Sequence, residues 1–80
     1  MYPVQSPTQL ATCLRALRKA RHLTQAELGL LLGVSRARVS EIERDPSQLG
    51  FSQLQRILHL LGCGLVIEPH GPELPADTTV

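Results

Sequence analysis

Eighty residues with a net charge of +1 allow a single small domain, one that buries only roughly 60–65% of the surface its unfolded chain exposes. A composition 42% hydrophobic and 19% charged excludes a disordered or fibrous chain, and aromatic residues limited to Tyr2 and Phe51 point to aliphatic helix packing rather than a β-sandwich. The charge is uneven: Arg15 to Arg44 holds seven basic and three acidic residues, while Asp45 to Val80 sets Arg56 against four acids, so a basic face and a second, separate face are expected.

The first helix opens at Ser6. Ser6-Pro7-Thr8-Gln9 supplies a capping hydroxyl, a proline suited to the first helical position and a glutamine at the third. Leu10, Cys13, Leu14 and Leu17 then recur at i, i+3, i+4 and i+7, the spacing of one buried helix face. The run Arg18-Lys19-Ala20-Arg21-His22 ends this helix, where cations suit the dipole. Residues 1–5 are expected to be flexible.

The second helix starts at Thr24, in the capping box Thr24-Gln25-Ala26-Glu27. Leu28, Leu31 and Leu32 are its expected inward contacts, and Gly33 suits the left-handed position that stops it. Val34 is read as a buried turn residue and Ser35 as the cap of a third helix whose inward stripe is Val39 and Ile42. Asp45-Pro46 ends that helix, because the residue before proline is pushed out of the α region. Two short helices joined by a glycine turn make a helix-turn-helix.

A fourth helix is expected from about Phe51 to Leu61, with Phe51, Leu54, Ile57, Leu58 and Leu61 along one side and Gly62 closing it. Gly64-Leu65-Val66-Ile67-Glu68 is β-branched, is bounded by glycine and Pro69, and reads as a strand. One strand cannot satisfy its own backbone, so Leu65, Val66 and Ile67 are expected to pair with the same strand of a second copy. Residues 69–80 read as a mobile tail.

Gln25-Ala26-Glu27-Leu28, Gly33-Val34-Ser35 and Val39-Ser40-Glu41-Ile42-Glu43 resemble the Cro/phage-repressor (Xre) helix-turn-helix family. Ser6-Pro7-Thr8-Gln9-Leu10-Ala11, together with the strand after the fourth helix, is most similar to the HipB-type antitoxins. The resemblance covers Ser6 to Glu68. It implies an all-α, lambda-repressor-like bundle of four to five short helices over residues 6–68, with the C-terminal strand paired across a homodimer. It also implies a transcriptional repressor that binds a palindromic operator in double-stranded DNA, represses its own operon and neutralises a HipA-like kinase toxin. With no signal sequence opening the chain and no CxxC pair, a cytoplasmic location with both thiols reduced is expected. Arg18 and Glu43 resemble the family's structural ion pair between the first and third helices. Gly29 stands where the family usually has alanine.

With Val39 and Ile42 inward, a 100° step turns Ala37, Ser40 and Arg44 outward and leaves Arg36 on the flank. Near the start of a recognition helix these side chains meet base edges in the major groove. Arg36 is the candidate for a bidentate contact with guanine, Ala37 for a thymine methyl, and Ser40 for a base or phosphate. Thr24, Gln25, Ser35, Arg38 and Arg44 are the candidate contacts to the DNA backbone, with the amides opening the second helix placed to hold a phosphate. Capping alone for Thr24 and Ser35, and plain solvation for Arg36, Arg44 and Lys19, are the competing readings. Two recognition helices about 34 Å apart would grip successive major grooves.

Cys13, Cys63, His22, His59 and His70 lack the close spacing of a metal site, so no metal or cofactor is expected. No nucleophile stands with a base and an orienting group, and no enzyme activity is expected. The apolar stretch from Ile57 to Ile67 is too short to cross a bilayer. A stand-alone phage-type or metabolic repressor, and a protein-interaction module that leaves DNA alone, are the two alternatives.

Overall fold

The structure is a computed structural model that describes residues 2–67. Four α-helices follow one another: α1 (Pro7–Ala20), α2 (Gln25–Leu32), α3 (Arg36–Arg44) and α4 (Phe51–Leu60), with one 3₁₀ turn at Pro46–Gln48 between the last two.

Each boundary has a local cause. The Ser6 hydroxyl accepts from the Gln9 amide at 3.2 Å, and Pro7 occupies the first turn, where its missing N–H costs nothing. α1 ends as His22 takes up a left-handed backbone (φ 58°), an uncommon conformation for a residue with a side chain. Thr24 Oγ1 accepts from the Glu27 amide at 3.0 Å, and Glu27 Oε1 accepts from the Thr24 amide at 2.9 Å, a complete capping box. Gly33 then turns the chain out of α2 at φ 75°. The Ser35 hydroxyl opens α3 by accepting from the Arg38 amide at 3.0 Å. Past α3, Asp45 Oδ1 accepts from the Ser47 amide at 3.1 Å and starts the 3₁₀ turn that leads into α4.

The core gathers Leu14 and Leu17 of α1, Leu28 and Leu32 of α2, Val39 and Ile42 of α3, and Ile57 and Leu58 of α4 with Leu61 just beyond it. Leu14, Val39 and Leu61 are almost fully enclosed. Truncating such a leucine to alanine costs about 2–5 kcal/mol, much of it the cavity left behind.

Three expected core residues lie outside it. Leu31 is 50% exposed. In this eight-residue helix Leu28, Gly29 and Leu32 form the buried side; Leu30 points away from it, and Leu31, 100° from Leu32, falls at its margin. Val34 is exposed because it follows left-handed Gly33 and is held by its own amide, which donates to the Gly29 carbonyl at 2.9 Å. Phe51 opens the first turn of α4 and projects past the core.

Gly64–Ile67 form neither helix nor strand in the single chain, and Glu68 lies outside the described residues. A strand whose only partner belongs to a second copy makes no ladder within one chain. The tail expected over residues 69–80 also lies outside the described residues.

Candidate nucleic-acid interface

α3 is fastened by Val39 and Ile42, both buried, and this fixes which side chains face outward. Arg36, Ala37 and Arg44 are exposed, Ser40 and Arg38 are half-buried, and Ser40 lies between Ala37 and Arg44 on one outward strip. Glu41, four residues after Ala37, is exposed on the edge of the same strip. The sequence reading passed over Glu41, although the same 100° arithmetic places it there.

The start of α2 presents a second feature. The first amides of a helix have no carbonyl within it to bond. Glu27's amide is taken by the Thr24 hydroxyl, while those of Gln25 and Ala26 point from the helix start with no such cap. Their donors and the positive end of the helix dipole make a site for an anionic oxygen. The Thr24 amide lowers the pKa of Glu27 by bonding its carboxylate, so a fixed negative charge also sits at this helix start.

Behind these two helix ends lies a buried polar knot. Arg18 Nε donates to Glu43 Oε2 at 2.6 Å, and Arg18 Nη2 donates to Glu43 Oε1 at 3.1 Å. Arg18 Nη1 donates to the Leu23 carbonyl at 2.8 Å, and Gln25 Nε2, donating to Glu43 Oε1 at 3.2 Å, is the third donor to this carboxylate. Both charged side chains are buried, and no buried polar side-chain atom among the described residues is left unpartnered. One carboxylate therefore ties together α1, α2 and α3, the three elements whose mutual angles decide how α3 is presented. Gln25 is thus a brace as well as the first residue of α2.

Arg21 joins the far end of the bundle in a way that charge placement alone did not indicate. Its Nε donates to the Leu61 carbonyl at 3.0 Å, docking the end of α4 on the end of α1. Beyond it, Leu65, Val66 and Ile67 are 50%, 73% and 89% exposed, an apolar run that nothing among the described residues covers. Lys19 is exposed. Among the described residues no cluster of His, Cys, Asp and Glu could hold a metal ion, and no helix is long and apolar enough to cross a membrane.

Comparison with known proteins agrees with this geometry. The helix-turn-helix family matches residues 14–67. Antitoxin HipB of Escherichia coli O6:H1 is 30% identical over 64 residues, covering 80% of this chain and 68% of the relative. Antitoxin HipB of Escherichia coli K12 is likewise 30% identical over 64 residues, with 80% and 73% covered. Among solved structures, a HipB–O4 20mer complex superposes with a TM-score of 0.77 at 27% identity, covering 89% of this chain and all of the other. A HipA–HipB–O2–O3 complex gives the same TM-score, identity and coverage. The chain belongs to the Cro/phage-repressor (Xre) helix-turn-helix family, and the HipB antitoxins are its relatives within it.

Proposed function

We propose that the protein is a dimeric, sequence-specific DNA-binding repressor that controls its own operon and neutralises a HipA-like kinase toxin. The observation that carries the DNA part is the paired arrangement of α2 and α3. α3 presents Arg36, Ala37, Ser40 and Arg44 from a buried Val39–Ile42 anchor, while α2 directs its first amides outward. The similar structures of a HipB–O1–O2 complex, a HipB–O4 20mer complex and a HipA–HipB–O2–O3 complex support the reading.

In this mechanism Arg36 forks onto guanine O6 and N7, Ala37 packs on a thymine methyl, and Ser40 reaches a base edge or phosphate. Glu41, on the rim, is suited to accept from a cytosine amino group. The Gln25 amide, with Thr24, Ser35, Arg38 and Arg44 around it, holds backbone phosphates and sets the register. Leu65, Val66 and Ile67 pair with the same segment of a second copy. That pairing covers the exposed apolar run and spaces two α3 helices about 34 Å apart on a palindromic operator in double-stranded DNA. Buried Arg18 and Glu43 stay out of the DNA contact and hold the helices at the required angle.

The test is binding of the full chain to the DNA upstream of its own gene, competed with random DNA at two salt concentrations. Selective binding by two copies, weakening steeply with salt as counterions return to the phosphates, supports the reading. Affinity equal to that for random DNA refutes the repressor assignment. A stable complex with the product of an adjacent kinase-like gene separates the antitoxin from a stand-alone repressor.

A further inference from the structure

α1 and α4 end in the same way, and one side chain holds both ends. At the close of α1, left-handed His22 donates its amide to the Lys19 carbonyl at 2.9 Å, and the Leu23 amide donates to the Arg18 carbonyl at 3.2 Å. At the close of α4, left-handed Gly62 (φ 74°) donates its amide to the His59 carbonyl at 3.0 Å, and the Cys63 amide donates to the Leu58 carbonyl at 2.7 Å. Both are Schellman turns, which recover two of the carbonyls a helix end leaves unpaired. The turn after α4 supplies no amide to the Leu61 carbonyl. Arg21 Nε donates to it instead at 3.0 Å, with the Cys63 thiol a weaker donor at 3.5 Å. The rest of the guanidinium lies over Gly62, where a Cβ would collide with Nη2 and stand 2.6 Å from Cζ. Glycine at 62 therefore meets two demands, a positive φ and room for Arg21. The Arg21 charge sits at two helix C-termini at once, where both dipoles favour a cation. Arg18, one turn earlier on α1, holds Glu43 of α3. A continuous set of bonds thus runs from α3 through α1 to residues 61–63, from which Leu65–Ile67 departs.

We infer that Arg21 is a positioning residue for operator recognition: by clamping the exit of α4 to α1, it fixes the direction in which Leu65–Ile67 leaves relative to α3. In the dimeric reading proposed above, on which this rests, that direction determines how far apart and how rotated the two α3 helices stand. Arg21 does this without contacting a base. A dimer with the clamp accepts one half-site spacing. Without the clamp it accepts several, because the chain can swing at Gly62 and Gly64.

The experiment measures binding of the full chain to the operator upstream of its own gene, and to versions with one base pair added or removed between the half-sites. Each such change shifts a half-site by about 3.4 Å and turns it by roughly 35° about the duplex axis. The wild type should lose at least about tenfold in affinity on the altered duplexes, the equivalent of one well-made base contact. Arg21→Ala should lose only about two- to threefold on them. It should keep its helical circular dichroism, its dimer in sedimentation and wild-type affinity for a duplex with a single half-site. Arg21→Lys, which can still donate to the Leu61 carbonyl, should recover part of the spacing preference. Gly62→Asn tolerates the left-handed turn while its Cβ evicts the guanidinium, so it should match Arg21→Ala and serves should that variant fold poorly. Arg21→Ala with the full wild-type spacing penalty overturns the proposal. An equal loss on every duplex, single half-site included, overturns it too, since that marks a DNA contact or plain destabilisation. A wild type indifferent to spacing refutes the dimeric reading itself, and the role of the clamp with it.

Discussion

Replacing Glu43 with alanine should come close to unfolding the domain. The substitution removes the acceptor for three donors, Arg18 Nε at 2.6 Å, Arg18 Nη2 at 3.1 Å and Gln25 Nε2 at 3.2 Å. It leaves the Arg18 guanidinium buried with only the Leu23 carbonyl as partner. Breaking a buried pair by deleting one member costs about 3–5 kcal/mol, because the surviving charge has lost both its water and its counter-charge. A domain of this size has roughly 4–12 kcal/mol of stability in all. A loss of about 4 kcal/mol lowers the folded-to-unfolded ratio roughly a thousandfold. Urea unfolding followed by circular dichroism measures it, as a fall in midpoint at unchanged slope. The control is Arg18→Met with Glu43→Leu, which removes both charges at similar volume and should recover most of the loss. The reasoning fails if Glu43→Ala costs less than about 1 kcal/mol, the value of an exposed pair. It fails equally if the double variant is as unstable as the single one.

Arg36→Ala should lower affinity for the operator by about 1–3 kcal/mol and relax selection at one base pair; an equal loss on every sequence, read by competition with point-mutated sites, would make Arg36 a phosphate contact. Gly29→Ala should destabilise by about 1 kcal/mol, even though alanine is the better helix former by a similar amount. An added Cβ would stand 2.8 Å from the Val34 carbonyl oxygen, so a rise in melting temperature would refute the steric argument. Val66→Pro should weaken self-association while leaving the helical signal intact, and an unchanged dimer in sedimentation would dismiss the paired-segment idea. The Glu27 carboxylate, held by the Thr24 amide, has a lowered pKa in the folded chain, so its contribution is present above its ordinary value of 4.5 and is lost as pH falls through the folded value. Glu27→Gln should therefore flatten the acid limb of the stability curve, and an unaltered limb would count against that cap.

The helix starts were legible because capping is local chemistry: Ser6, Thr24 and Ser35 each stand three residues before the amide they accept from. The stop at Gly33 was legible for the same reason, since a left-handed residue closing a helix is most often glycine. The Leu30-Leu31-Leu32 run was not, because three consecutive apolar residues fit several helix rotations. Only packing against α3 selects Leu28 and Leu32. The Arg18–Glu43 pair spans 25 positions, which no helical spacing can read; it entered through resemblance alone. Gln25's bond to Glu43 and Arg21's to the Leu61 carbonyl had no sequence signal, because each depends on how whole helices meet.

The junction between α2 and α3 shows how a residue that weakens a helix in isolation can suit the fold of this chain. Glycine inside α2 forfeits about 1 kcal/mol of helix propensity. Yet Gly29 lies where the chain passes back over α2: the Val34 amide bonds the Gly29 carbonyl at 2.9 Å, and the Val34 and Ser35 backbones lie over the space a Cβ would occupy. A side chain there would push the cap of α3 outward, and with it Arg36 at the helix start. Glu43 fixes the other end of α3 through Arg18 and Gln25, so the helix is held near both termini. A reader of base edges tolerates little error in position, since a bidentate arginine contact discriminates only when both hydrogen bonds are aligned. On the proposed role of α3 in reading DNA, the local cost at Gly29 and the buried charge at Glu43 serve one end, an α3 whose angle is set in advance.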